Sequence, residues 1–91
     1  MRLVASGDGA EGSLRIHQGA RLYAGLFDGN ETARHALHEG RLGYVQVARG
    51  SIELNGRRLN AGDGAMLRNE PEIELREGNA AEVLVFDLPS S

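Results

Sequence analysis

Ninety-one residues are enough for one domain, and a chain of this size buries only about 60–65% of its extended surface on folding, so its core is modest. Ten basic against thirteen acidic residues, dispersed along the chain for a net charge of −3, exclude nucleic acid as a partner, because backbone binding needs a concentrated positive field. The absence of cysteine excludes disulfides, thiolate metal sites and cysteine nucleophiles, and the longest apolar run, Val83–Phe86, is far below a membrane span. The expectation is a soluble, cytoplasmic chain without a membrane partner.

Arg2–Ala5 reads as an edge strand, and Ser6–Gly12, rich in glycine and acid, as a flexible loop. Ser13–Gln18 alternates as a half-buried strand should, with Leu14 and Ile16 opposite Arg15 and His17. Ala20–Phe27 is apolar on both faces, the pattern of a strand covered by a sheet on one side and by a partner domain on the other. Thr32–Glu39 has some helix propensity, but Ala33, His35 and Leu37 alternate with Arg34 and His38, which favours strand.

Leu42–Leu67 organises the rest. Asn55-Gly56 between Ser51–Leu54 and Arg57–Leu59 is a strong hairpin signal, since both residues tolerate the positive φ of a type I′ turn. Arg49-Gly50 reads as a further reversal, which makes Tyr44–Ala48 and Ser51–Leu54 separate strands. Ala61-Gly62-Asp63-Gly64 reads as a loop whose carboxylate accepts from nearby amides. Ala65–Arg68 is a strand that closes at Asn69-Glu70-Pro71. Ile73 and Leu75 then alternate with acids before a turn at Glu77-Gly78-Asn79. Glu82–Leu88 is almost continuously apolar, as a central strand is. Short strands between turn signals, thirteen glycines and two prolines give an all-β sandwich or barrel, a single domain over residues 1–91. With two Phe, two Tyr and no Trp, its core is built from Leu, Val, Ile and Ala.

The blocks LRIHQ-ARLYAGL, YVQVARG, LNG-RLNAGDGA and EVLVFDLP, in that order, resemble the C-terminal cupin domain of the pirin-like family, whose bicupin members include quercetin 2,3-dioxygenases. The resemblance implies a small jelly-roll β-barrel. It also places the metal and the dioxygenase activity of such proteins in an N-terminal half, with this chain beginning almost where the C-terminal half would begin.

Cupin enzymes hold their metal with a His-x-His pair, a glutamate and a third histidine, and imidazole and carboxylate ligands of that kind suit Fe, Mn, Ni, Cu or Zn. Laid on this chain from Gly29, the four positions become His35, Leu37, Gly43 and Leu67, so one ligand of four survives. His38 is one residue out of register. Glu39 shares the parity of His35, but two ligands are too few. No metal and no other cofactor is expected, and no catalytic residue is assigned. Ser6, Ser13, Ser51, Ser90 and Ser91 have no nucleophile elbow around them. His35 and Gln46 are the candidate pocket residues. His35 reads first as a core histidine satisfied by a neighbour, and His17 and His38 as surface residues.

The expected function is that of a metal-free cupin module with a structural, dimerisation or partner-domain role and no catalysis alone. Its partner is a second copy or an N-terminal-type cupin. One alternative is a subunit of a quercetinase-type dioxygenase completed by that cupin. The other is a module binding a small apolar ligand in the barrel interior.

Overall fold

The structure, a computed structural model, describes residues 2–6, 14, 15 and 20–89, and these contain strands and turns without a helix. Eight strands follow in order: β1 Arg2–Ser6, β2 Leu14–Arg15, β3 Arg21–Phe27, β4 Ala33–Ala36, β5 Arg41–Leu54, β6 Arg57–Asn60, β7 Gly64–Arg68 and β8 Glu72–Pro89. Of the expected loop Ser6–Gly12, Ser6 ends β1 and the rest lies outside the described residues, as does His17.

The all-β expectation holds, and two long strands carry it. β5 and β8 pair antiparallel along nearly their whole length, from Arg41↔Pro89 to Leu54↔Leu75. The C-terminal half of β8 also takes β3, through Leu22↔Phe86 and Ala24↔Leu84, while its N-terminal end takes β4, through His35↔Ile73. On the far side of β5, β7 pairs with the first half and β6 with the second. Val45, Val47, Val83 and Val85 from one end of this ribbon share a buried cluster with Ile52, Leu54, Ile73 and Leu75 from the other. One cluster can hold both ends only if the ribbon folds back on itself. The first layer is therefore β2, β1, β3, the C-terminal half of β8, the first half of β5, and β7. The second is β4, the N-terminal end of β8, the rest of β5, and β6. The shortest extent of the molecule, 21 Å, suits two sheets about 10 Å apart with side chains on their outer faces.

The fold-back sits where two turns were expected, and both expectations need correction. Arg49-Gly50 reverses nothing. It lies inside β5, where the register with β8 shifts between Val47 and Arg49, again before Ser51, and again before Glu53. Glu77-Gly78-Asn79 likewise lies inside β8, with Glu77 and Ala80 at positive φ. The two irregularities face each other. Gly50 has φ +66, and a Cβ there would collide with the carbonyl oxygens of Asn79 and Ala80. Paired bulges bend both strands without breaking the ladder, whereas true reversals would have produced four short strands.

The Asn55-Gly56 turn forms as expected, with φ +47 and +85 closing Leu54↔Arg57. Asp63 also behaves as expected, its Oδ2 accepting from the Asn60 amide at 2.8 Å. Arg2–Ala5 is not an edge, because β1 has β3 on one side and a parallel β2 on the other. The strand expected over Thr32–Glu39 shortens to β4, and Leu37, just past its end, is buried with its amide bonded to the Pro71 carbonyl.

Candidate functional site

Side-chain alternation on β5 and β8 sends Arg41, Gly43, Val45 and Val47 inward with Val83, Val85 and Asp87. Asp87 is thus a carboxylate inside an apolar sandwich, 2% exposed, and such a group persists only when it is paired and hydrogen-bonded. Arg41 Nε donates to its Oδ1 at 2.7 Å, and Arg41 Nη2 donates to its backbone oxygen at 3.0 Å. His35 on β4, in the opposite layer, lies with Nε2 2.8 Å from Oδ2. The Tyr23 ring covers the imidazole, centroids 4.8 Å apart. Burial pushes the Asp87 carboxyl upward, but the hydrogen bonds and charges of His35 and Arg41 outweigh it and hold the group below its ordinary value of 3.8. Asp87 is therefore a carboxylate at neutral pH, and His35 Nε2 carries the proton between them.

Both carboxylate oxygens are engaged, and no buried side-chain polar atom among the described residues lacks a partner. A network of this kind ties β4, β5 and β8 together, with the carboxylate committed to holding them.

The positions corresponding to a cupin metal site converge beside it. Gly43 pairs with Asp87 on one side and Leu67 on the other. A Cβ on Gly43 would stand 3.0 Å from Ile73 Cδ1, 3.3 Å from Leu37 Cδ2 and 3.6 Å from Leu67 Cβ. Apolar atoms fill that space, and the one imidazole near it is committed to Asp87. These residues do not fit a metal ion, and among the described residues no three His, Cys, Asp or Glu side chains are grouped to hold one. His38 and Glu39 are exposed in the loop after β4.

The two candidate pocket residues are not brought together. His35 faces the interior, whereas Gln46 has the parity of Leu42 and Tyr44 and lies on the outer face. There it accepts from the Tyr44 hydroxyl at 3.2 Å and donates to the Asp63 carbonyl at 3.1 Å. Sequence reasoning missed Asp87 and Arg41. The signal was present: in Val83–Leu88 the single charge falls at the inward parity of Val83 and Val85.

That outer face is the second feature of note. Leu22, Phe86, Tyr44 and Met66 are direct cross-strand neighbours in one row over β3, β8, β5 and β7. Ala24 and Leu84 form a parallel row, and Leu42 and Leu88 a third. The Tyr44 and Phe86 rings meet edge to face at 6.1 Å. Leu26 and Met66 are 71% and 59% exposed. Among the described residues nothing covers β3 on this side, and its two apolar faces have unequal fates. Phe27 is buried, while Leu22 and Ala24 are half-exposed.

A family model described as the quercetinase C-terminal cupin domain matches residues 3–88. A quercetin 2,3-dioxygenase of Escherichia coli strain K12 is 34% identical over 88 residues, covering 97% of this chain and 38% of that protein. The crystal structure of YhhW from Escherichia coli superimposes with a TM-score of 0.93 at 33% identity, covering 99% of this chain and 38% of that one. A second structure of that bacterial pirin, in complex with nickel(II), gives 0.92 at 33% identity, over 99% of this chain and 39% of the other. The chain thus spans little more than a third of the length of the relatives it matches.

Proposed function

Because the chain belongs to the quercetinase C-terminal cupin domain family, we propose that it is the structural member of a two-cupin assembly, docking through its apolar outer face and catalysing nothing alone. The observation that carries this reading is the row Leu22, Phe86, Tyr44 and Met66, which continues an apolar surface across four hydrogen-bonded strands. Large contiguous apolar patches on small soluble domains mark interaction surfaces. The lack of catalysis rests on Leu37, Gly43 and Leu67 at three of the four metal positions and on the full engagement of Asp87. In the family setting the docked partner is an N-terminal-type cupin; for the chain by itself it is a second copy.

Metal analysis and light scattering test the two parts separately. The purified chain is expected to carry no stoichiometric Fe, Ni, Cu, Mn or Zn, to leave quercetin unoxidised, and to scatter as a dimer of its 9.8 kDa protomer. One tightly held equivalent of metal, lost in His35→Ala, overturns the non-catalytic reading. A strictly monomeric chain overturns the docking face. The relatives named as quercetin 2,3-dioxygenase and as a nickel-bound pirin favour a second reading, a subunit whose dioxygenase activity is completed by a His-x-His cupin. In that case quercetin oxidation by the mixture exceeds that of the His-x-His cupin alone.

A further inference from the structure

Away from the outer apolar face, the two layers leave an open seam between their edge strands, β7 of the first and β6 of the second. Neither strand pairs with the other. Two adjoining clefts of about 460 Å³ and 260 Å³ lie along this side, and both are lined by Arg68 and Glu70. Their apolar walls come from the core, with Leu37 in the larger, and Leu54, Ala65 and Leu67 in the smaller. Leu37 and Leu67, which the cupin resemblance sets at metal positions, thus each line one of the two clefts.

Two arginines stand on the lip of the smaller cleft. Arg34, Arg58 and Arg76 are held by Glu74, by the Glu77 carbonyl with Ser51, and by Glu53. The side chains of Arg57 and Arg68 make no ion pair or hydrogen bond among the described residues, and both line this cleft. Against them stands one carboxylate, Glu70. Two uncommitted guanidinium groups over an apolar floor form a concentrated positive site in a chain whose net charge is −3. A guanidinium recognises a planar carboxylate with two parallel N–H donors, and apolar walls take an aromatic or branched body.

The geometry points to a binding site for a small organic monocarboxylate with an aromatic or branched aliphatic body. The body rests on Leu54, Ala65 and Leu67, and the carboxylate meets Arg68 and Arg57. The site adjoins the docking face at Met66, which ends the outer row and also lines this cleft, while Ala65 and Leu67 turn to the other side of β7.

Naphthoate, with neutral naphthalenemethanol as its isostere, tests the inference by amide chemical-shift titration of the full chain. The expected result is saturable shifts confined to residues 54–57 and 65–70. Affinity is expected to fall about tenfold or more in Arg68→Gln and for the neutral isostere, the loss expected of a charge-assisted hydrogen bond. An unchanged spectrum elsewhere in Arg68→Gln confirms that the variant is folded. Shifts centred on Leu22 and Phe86, equal binding of acid and alcohol, an unaffected Arg68→Gln, or no saturable shift would each overturn it.

Discussion

The two outer faces of this sandwich are built from the same pair of strands and differ in everything else. Over the first layer, β5 and β8 present Leu42, Tyr44, Leu84, Phe86 and Leu88 beside Gln46 and Glu82, and β3 adds Leu22 and Leu26. Over the second, the same strands present Glu53, Glu72 and Glu74, with Arg34 paired to Glu74 at 2.8 Å and Arg76 to Glu53 at 3.7 Å. A chain folding for its own interior alone needs polar residues on both outer faces. One polar and one largely apolar face are what the docking proposed for the first layer requires, while the second suits water.

The faces differ only because the ribbon crosses from one layer to the other at Gly50, so the largest effect is expected there. Gly50→Val places a β-branched side chain at positive φ against the Asn79 and Ala80 carbonyls. It is expected to cost about 4 kcal/mol or to prevent folding, removing both faces together. Gly56→Val also meets positive φ, but nothing lies within 4 Å of the added Cβ, and about 1–3 kcal/mol is expected. Equal urea midpoints for the two variants would mean that the crossing is not where β5 bends.

Inside, the layers are joined by Asp87. Asp87→Asn removes the buried carboxylate that Arg41 and His35 both hold and is expected to cost about 3 kcal/mol. The carboxyl titrates below 3.8 in the folded chain, so its contribution is complete above that value and is lost as the pH falls through the lower folded one. Unfolding free energy of the unmodified chain should therefore decline more steeply below about pH 4 than that of the variant. Parallel pH profiles would contradict the network. On the charged face the effect is small. Glu74→Gln removes an ion pair whose arginine is mostly solvated, and a change of about 0.5 kcal/mol or less is expected by thermal melting.

Local signals in the sequence were sufficient wherever the chain's own backbone decided the outcome. Asn55-Gly56 specified its turn through φ, Asp63 its capping contact, and the apolar run at Glu82–Leu88 its central place. They were insufficient where two distant segments decide jointly. Arg49-Gly50 and Glu77-Gly78-Asn79 each look like a turn, and only their opposition across β5 and β8 makes them one bend. The site followed the same division. Leu37, Gly43 and Leu67 were picked out by the cupin resemblance, and they pack together around Gly43. In the Arg41, Asp87 and His35 network only the inward parity of Asp87 was legible, because its partners lie up to 52 positions away and no local spacing encodes them. The doubly apolar β3 was legible as a pattern, but which face stays uncovered depends on the topology.

Sedimentation velocity at micromolar concentration, comparing the unmodified chain with Phe86→Glu and Glu74→Gln, tests most directly whether the apolar face is a docking face. Phe86 is at the centre of the outer row, between Leu22 and Tyr44, so a charge there spoils the face without entering the core. The expected result is a dimer for the unmodified chain and for Glu74→Gln, and a folded monomer of 9.8 kDa for Phe86→Glu. A monomer in all three, or a dimer that survives Phe86→Glu, would contradict the assignment of that face.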